Sequence, residues 1–340
     1  MTAEASQLPD DHRKRRLRSF LVRCFLLGAA IVGSGFVISR YDMRASDDNY
    51  LAAVLEKDRL IRSTPSPKII LVGGSNLAFG IDSRMMHDSL NINVVNMGLY
   101  AKLGLRYMLA QVKPYIRTGD VVVIVPEYDQ FYGKFSEGDN TLNTALLYAP
   151  SDRIGDFVKS YSVVDVVLRP RVENVRRAFL QATADAFGKK NDYFPPDTNP
   201  VYNRRSFNQY GDMMSHLGRK SMKPDAIYAG ELPPVREFSM AAVEELNDIA
   251  DAARSRGAHA YFLFPSYMDR AYDLNKHAIA DLEQRLAREM RIPVVGTPKD
   301  FVYPSSWFFD TRYHLNELGR GPRTVKMIQI MRAARTSDSW

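Results

Sequence analysis

Apolar and polar positions follow three rhythms along the 340 residues. The first is an apolar run from Phe20 to Ile38, FLVRCFLLGAAIVGSGFVI, about 19 residues against the roughly 20 that a spanning helix needs. The second is a set of short blocks of mainly branched apolar residues: Ile69 to Val72, Asn93 to Asn96, Val121 to Val125, Ala260 to Phe264 and Ile292 to Val295. Such blocks read as strands buried on both faces. The third is helical spacing, over Asp82 to Leu90, Gly104 to Tyr115, Met240 to Arg256, Tyr272 to Met290 and Asn316 to Arg335. Strand and helix alternate, so the expected fold class is α/β, a parallel sheet of about five strands flanked by helices.

Two segments stand outside that alternation. Residues 39–67 are charged, with Leu51, Val54, Leu55 and Leu60 at near-helical spacing, and are expected to form a stalk between the apolar run and the first strand. Residues 128–237 show no sheet rhythm, are rich in Tyr, Phe, Asn and Arg, and contain Asp192-Tyr-Phe-Pro-Pro-Asp-Thr-Asn-Pro200. Val163 to Ala186 reads as a helix within them. Long loops in compact domains are commonly functional, and aromatic faces with polar amides suit sugar rings. This insertion is therefore expected to roof a site and bind substrate, or else to serve as a structural cap or docking surface.

Charge gives the apolar run a direction. Residues 1–19 form a basic tail, with Arg13, Lys14, Arg15, Arg16 and Arg18 close together. That block places the N-terminus in the cytoplasm and the chain after Arg40 outside it. The expectation is a single-pass inner-membrane protein whose domain at 68–335 is periplasmic or extracellular. Arg23 lies near the basic end, where its stem can snorkel to the headgroups. A cleaved signal peptide competes, but no small-residue cleavage pattern follows Ile38. Of the net charge of +7, +3 lies in residues 1–24 and +4 in the rest of the chain, a mild excess that does not point to a nucleic-acid groove. The single cysteine, Cys24, sits in the apolar run, leaving the exported part without a disulfide. No histidine, cysteine and carboxylate set has metal-ligand spacing, and no glycine-rich phosphate loop is present, so neither metal nor cofactor is expected.

The candidate chemistry lies at two places. Lys68 to Asp82, KIILVGGSNLAFGID, is a buried strand that breaks at Gly73-Gly74 and presents Ser75 at its carboxyl end, where open α/β sheets place their sites. Far along the chain, Asp310-Thr-Arg-Tyr-His314 supplies an imidazole and a carboxylate. Serine needs a base to act as a nucleophile at neutral pH, and a carboxylate can hold that base in the right tautomer. Ser75, His314 and Asp310 are thus a candidate triad. Glu127 and Tyr128, after the third strand, are candidate substrate contacts.

Gly73-Gly74-Ser75-Asn76, Asn96-Met97-Gly98 and Asp310 to His314 followed by Leu315-Asn316 together resemble the SGNH (GDSL-type) hydrolases, in particular the membrane-anchored envelope branch of DltD-like and alginate-acetylation proteins. The resemblance covers roughly 68–125 and 256–335. It implies a flavodoxin-like sheet and a Ser75 nucleophile, with backbone N–H groups of Ser75 and Gly98, and the Asn76 amide, as oxyanion donors. It also implies a serine esterase or O-acyltransferase acting on O-acyl, chiefly O-acetyl, groups of cell-envelope or secreted polysaccharide. Transfer would involve a membrane-bound partner that delivers acyl groups. The chain departs from the family pattern in three ways: Gly74 replaces an acid, three residues instead of two separate Asp310 from His314, and Pro126-Glu127 stands where an Asn is usual. These departures motivate an alternative, a catalytically silent assembly or polysaccharide-binding subunit.

Overall fold

The computed structural model describes residues 10–42, 49–189 and 199–338. Residues 1–9 of the basic tail and most of the Asp192–Pro200 tract lie outside the described residues. Helix α1 (Asp10–Asp42) contains the whole Phe20–Ile38 run, and its Phe20, Leu21, Phe25, Leu26 and Leu27 are exposed. Side chains at 31, 32 and 35–42 lie outside the described residues. Among the described residues, no helix is long and apolar enough to cross a membrane.

Of the segment expected to form a helix or stalk, residues 43–48 lie outside the described residues, and 54–63 form a helix that packs into the fold rather than standing off it. Helix α2 (Val54–Ser63) buries Val54, Lys57, Asp58 and Ile61. Lys57 Nζ donates to the carbonyls of Asn96 and Gly211 at 2.8 and 2.5 Å and sits 4.4 Å over the Phe207 ring. Burial pulls its pKa down to about 7, against the opposing charge of Asp212. Charged residues at helical spacing look like a solvated stalk in the sequence because their buried partners lie far along the chain.

The central layer is a parallel sheet in the order β2 (Asn93–Asn96), β1 (Lys68–Gly73), β3 (Val121–Val125), β4 (His259–Phe262). β1 and β3 are fully buried, as their unbroken apolar runs require. Helices α3 (Ser75–Gly80), α4 (Ser83–Leu90) and α5 (Leu105–Val112) follow β1 and β2. Asp82 caps α4 by accepting from the Met85 N–H, and Asn91 ends it in the left-handed conformation. Beyond β4 the expected fifth strand is reduced to a single parallel bridge between Phe262 and Val294. Pro293 has no N–H to give, so only its carbonyl and the Val295 N–H bond Phe262. A small parallel pair, β5 (Tyr267–Met268) with β6 (Val302–Tyr303), was not expected.

The insertion holds α6 (Asn140–Tyr148), α7 (Ile154–Val158) and α8 (Arg169–Ala186), with a π-helical turn at Val164–Leu168 leading into α8. Helices α9 (Met240–Arg254), α10 (Asp269–Glu289) and α11 (Glu317–Asp338) complete the layers. β1 lies between β2 and β3, so successive connections leave it in opposite directions. The crevice at such a reversal is where open α/β sheets bind ligands, and Ser75, Gly98 and Glu127 all follow carboxyl ends of these three strands.

Candidate active site

Ser75 is the first residue of α3, directly after β1. The turn requires glycine at 74: an added Cβ there would lie 2.5 Å from both Glu127 carboxylate oxygens and 2.8 Å from the Ala101 backbone. The Glu127 side chain thus fills the space that a side chain at 74 would need. One of its oxygens accepts the Asn76 N–H at 3.1 Å, while the other is buried without a partner.

Beneath the turn, α11 contributes Arg323, whose Nη1 and Nη2 donate to the Asn76 carbonyl and side-chain oxygen at 2.5 and 2.7 Å. Burial lowers the Arg323 pKa to about 10. The Asn76 amide nitrogen donates to the Val125 carbonyl at 2.9 Å. Asn76 is wholly buried, so its side chain fastens α3 to β3 and is spent as an oxyanion donor. Gly98 is corrected in the same way: its N–H donates to Asn96 Oδ1 at 2.9 Å. Its lack of a side chain serves packing, since a Cβ would fall 2.7 to 2.9 Å from Leu77, Gly74 and Ala78. Of the three expected donors, only the Ser75 N–H, at the first position of α3, is without a partner within its own helix.

His314 lies in a loop closed by a bridge between Phe308 and Leu315. Its Nδ1 is 2.7 Å from Asp310 Oδ1. The three-residue separation therefore does not part the pair. Thr311, at the usual place of the acid, accepts the His314 N–H with its hydroxyl at 3.2 Å and so shapes the turn. A proton on Nδ1 satisfies the carboxylate and leaves the Nε2 lone pair for a substrate-side hydroxyl. Burial pulls the Asp310 carboxyl upward, but the hydrogen bond and charge of His314, with the Tyr202 hydroxyl, hold it below its ordinary range.

The imidazole stacks on Phe79, with ring centres 4.1 Å apart and planes 6° apart. Phe79 is one turn along α3 from Ser75, on the same side of the helix. His314 thus packs on a residue one turn from Ser75, with Asp310 bonded to its far side. Ser75 and His314 make no hydrogen bond with each other, and each keeps about 5% exposure.

Tyr202, which sequence reasoning did not single out, joins the pair from the insertion. Its hydroxyl donates to Asp310 Oδ2 at 2.5 Å and lies 3.2 Å from His314 Nδ1. Burial, followed by the Asp310 charge, raises its pKa. The only signal for it was the aromatic richness of 128–237. His216 is buried against Phe79 and Phe309, and burial lowers its pKa to about 4.

Glu127 and Tyr128 are each 1% exposed, which removes both from the surface that a substrate meets. Tyr128 packs edge-on against Tyr267. The neighbouring carboxylate, Asp129, accepts from Arg312 Nη2 at 2.9 and 3.1 Å and from the Tyr313 hydroxyl at 2.8 Å. It thereby ties the loop carrying His314 to the end of β3. Among the described residues, no group of three or more His, Cys, Asp or Glu could hold a metal ion.

Burial raises the Glu127 pKa, the Asn76 hydrogen bonds and the His314 charge opposing it only in part. The folded protein therefore holds this proton more tightly than the unfolded chain does. The associated stability is complete below the unfolded value near 4.5 and falls as pH rises through the folded-state pKa. Glu127→Gln, neutral throughout, is expected to gain stability relative to wild type as pH rises from about 4 to 8. Urea midpoints across that range measure it, and a pH-independent difference would contradict it.

Comparison with protein-family models, curated proteins and solved structures finds no match for this chain; its function is read from the residues and their geometry.

Proposed function

We propose that this chain is a membrane-anchored, SGNH-like serine acyltransferase or esterase that acts outside the cytoplasm on O-acyl groups, chiefly O-acetyl, of envelope or secreted polysaccharide. The observation that carries this reading is the hydrogen-bonded Asp310–His314 pair, stacked on the helix that Ser75 opens at the end of the central strand. In the first half-reaction, Ser75 Oγ attacks the acyl carbonyl and its proton passes to His314 Nε2. Asp310 stabilises the imidazolium, and the Ser75 N–H faces the developing oxyanion. His314 returns the proton to the leaving oxygen, leaving an acyl-serine. In the second half, His314 deprotonates a sugar hydroxyl or water, whose oxygen attacks the acyl carbonyl; the bond to Ser75 Oγ breaks, and His314 returns the proton to that oxygen. Hydrogen bonds between nucleophile and base are often long before substrate binds, so the unmade Ser75–His314 bond fits this cycle.

The exposed apolar side chains of α1 and the cations before them support an anchor with its N-terminus in the cytoplasm. The anchor and the family resemblance favour transfer over hydrolysis, with a membrane-bound partner as acyl source. The engagement of the Gly98 N–H and the Asn76 amide favours a second reading, a silent polysaccharide-binding or assembly subunit.

A serine-reactive fluorophosphonate separates the two readings. Wild type is expected to label at Ser75, and Ser75→Ala and His314→Ala are not. Labelling that is absent in all three, or equal in all three, favours the silent subunit. Acyl release from a model ester, measured with and without a sugar acceptor, then separates the reactions: acylated sugar marks transfer, and free acid alone marks an esterase.

A further inference from the structure

We propose that the outward face of α8 rests on the lipid bilayer beside the anchor, so that the insertion seats the catalytic domain on the membrane surface; this rests on the anchored reading above. Helix α8 turns Pro170, Asn174 and Ala184 inward, where it packs against α6. Its exposed positions include the apolar Val172 and Phe179, 55 and 68% exposed, with Leu168, 43% exposed, at the end of the π-helical turn before it; Arg169 and Arg176 are exposed as well. At 3.6 residues per turn Val172 and Phe179, both within α8, lie about 20° apart around the helix. Exposed Val163 and Val164 precede the helix, and Phe187, 79% exposed, follows it.

Isolated surface hydrophobics are ordinary, but an apolar stripe on one helix marks an interface. Two observations select lipid as the occupant. First, α8 packs beside α1, the helix that carries the Phe20–Ile38 run and the exposed Phe20, Leu21, Phe25 and Leu26. The two elements that carry exposed apolar side chains are thus packed against each other. Second, residues 163–189 carry five Lys and Arg against three acids; Arg169 pairs with Asp165, and Arg176 and Arg177 with Glu173, which leaves a net charge of +2 with Arg169 and Lys189 exposed. An apolar stripe bordered by cations is the pattern of a helix lying in the headgroup region of an anionic leaflet.

The single cysteine makes the test direct. The full chain is placed in nanodiscs of phosphatidylcholine with phosphatidylglycerol and labelled with a fluorophore at one position at a time. The positions are the native Cys24, position 179 in Cys24→Ser/Phe179→Cys, and position 228 in Cys24→Ser/Tyr228→Cys. Tyr228 is 81% exposed and lies in a different part of the insertion. Cooperative urea unfolding with the wild-type midpoint checks that each variant is folded.

Lipids bearing a nitroxide near the headgroup are expected to quench the labels at 24 and 179 several-fold more than the label at 228. Omitting phosphatidylglycerol should weaken quenching at 179. Quenching at 24 with position 179 behaving like 228 overturns the α8 proposal and leaves the anchor standing. No quenching at either position overturns the anchor, and the α8 proposal with it. A label at 179 that escapes lipid quenching, while the cysteine at that position crosslinks to its equivalent in another copy, replaces lipid with self-association and overturns the proposal.

Discussion

Ser75→Ala and His314→Ala are each expected to lower acyl-ester turnover by about 10⁴- to 10⁶-fold, and the double variant to be scarcely worse than either single one. The non-additivity follows from the mechanism. A nucleophile without its base, and a base without its nucleophile, both leave only the binding and oxyanion contributions. Asp310→Asn is expected to cost about 10⁴-fold, because an amide facing Nδ1 favours the wrong imidazole tautomer. Tyr202→Phe should cost less than Asp310→Asn, since Asp310 would still hold Nδ1 after the hydroxyl is lost. Steady-state kinetics on a chromogenic acyl ester measures the series. Turnover by Ser75→Ala within tenfold of wild type would remove Ser75 as nucleophile, and additive losses would show that Ser75 and His314 do not act as a unit.

Arg153→Ala is expected to destabilise the fold by about 3 kcal/mol, the largest stability effect anticipated for this chain, because it strips a buried carboxylate of its ion-pair partner. Arg153, in the insertion, is 2% exposed. Its guanidinium donates to Asp58 of α2, to Asp156 at 3.0 Å and to the Gln111 carbonyl at 2.8 Å, and it lies 4.6 Å from the centre of the Tyr115 ring. After the substitution, Asp58 keeps only the more exposed Arg62 at 2.6 Å. Asp58→Ala should also destabilise, and the double variant should lose less than the sum, because each single change leaves the other group uncompensated. Equilibrium urea unfolding of the four proteins gives the coupling. Small and additive effects would mean that α2 stands away from the insertion, as a stalk would.

These two expectations draw on different levels of information. The first rests on residues that sequence pattern could single out. β1 and β3 announce themselves because a strand covered on both faces must be continuously apolar, and Ser75 is legible as the polar residue at the end of such a run. α4 is legible from the Asp82 cap, and α9, α10 and α11 from helical periodicity. His314 and Asp310 are close enough in sequence to be paired by inspection. Local pattern also fixed the α/β class, since alternation of strand and helix leaves few ways to cover a sheet.

Tertiary structure decided what depends on groups distant in the chain. Tyr202 meets His314 from 112 positions away, Lys57 meets Gly211 from 154, and Arg323 meets Asn76 from 247. No periodicity encodes these meetings, because they depend on where irregular loops come to rest. The same geometry spent the Gly98 N–H and the Asn76 amide on internal hydrogen bonds, buried Glu127 over Gly74, and turned residues 50–63 from a stalk into core. It also reduced the fifth strand to one bridge at Pro293, where a missing N–H ends the ladder. The sequence by itself determined the repeating elements and which residues to propose for the chemistry, since hydrophobic burial and hydrogen bonding along the chain are local constraints. Which donors stay available and which carboxylates are sealed from water was decided only when the elements packed, because a hydrogen-bonding group's availability is set by its neighbours in space.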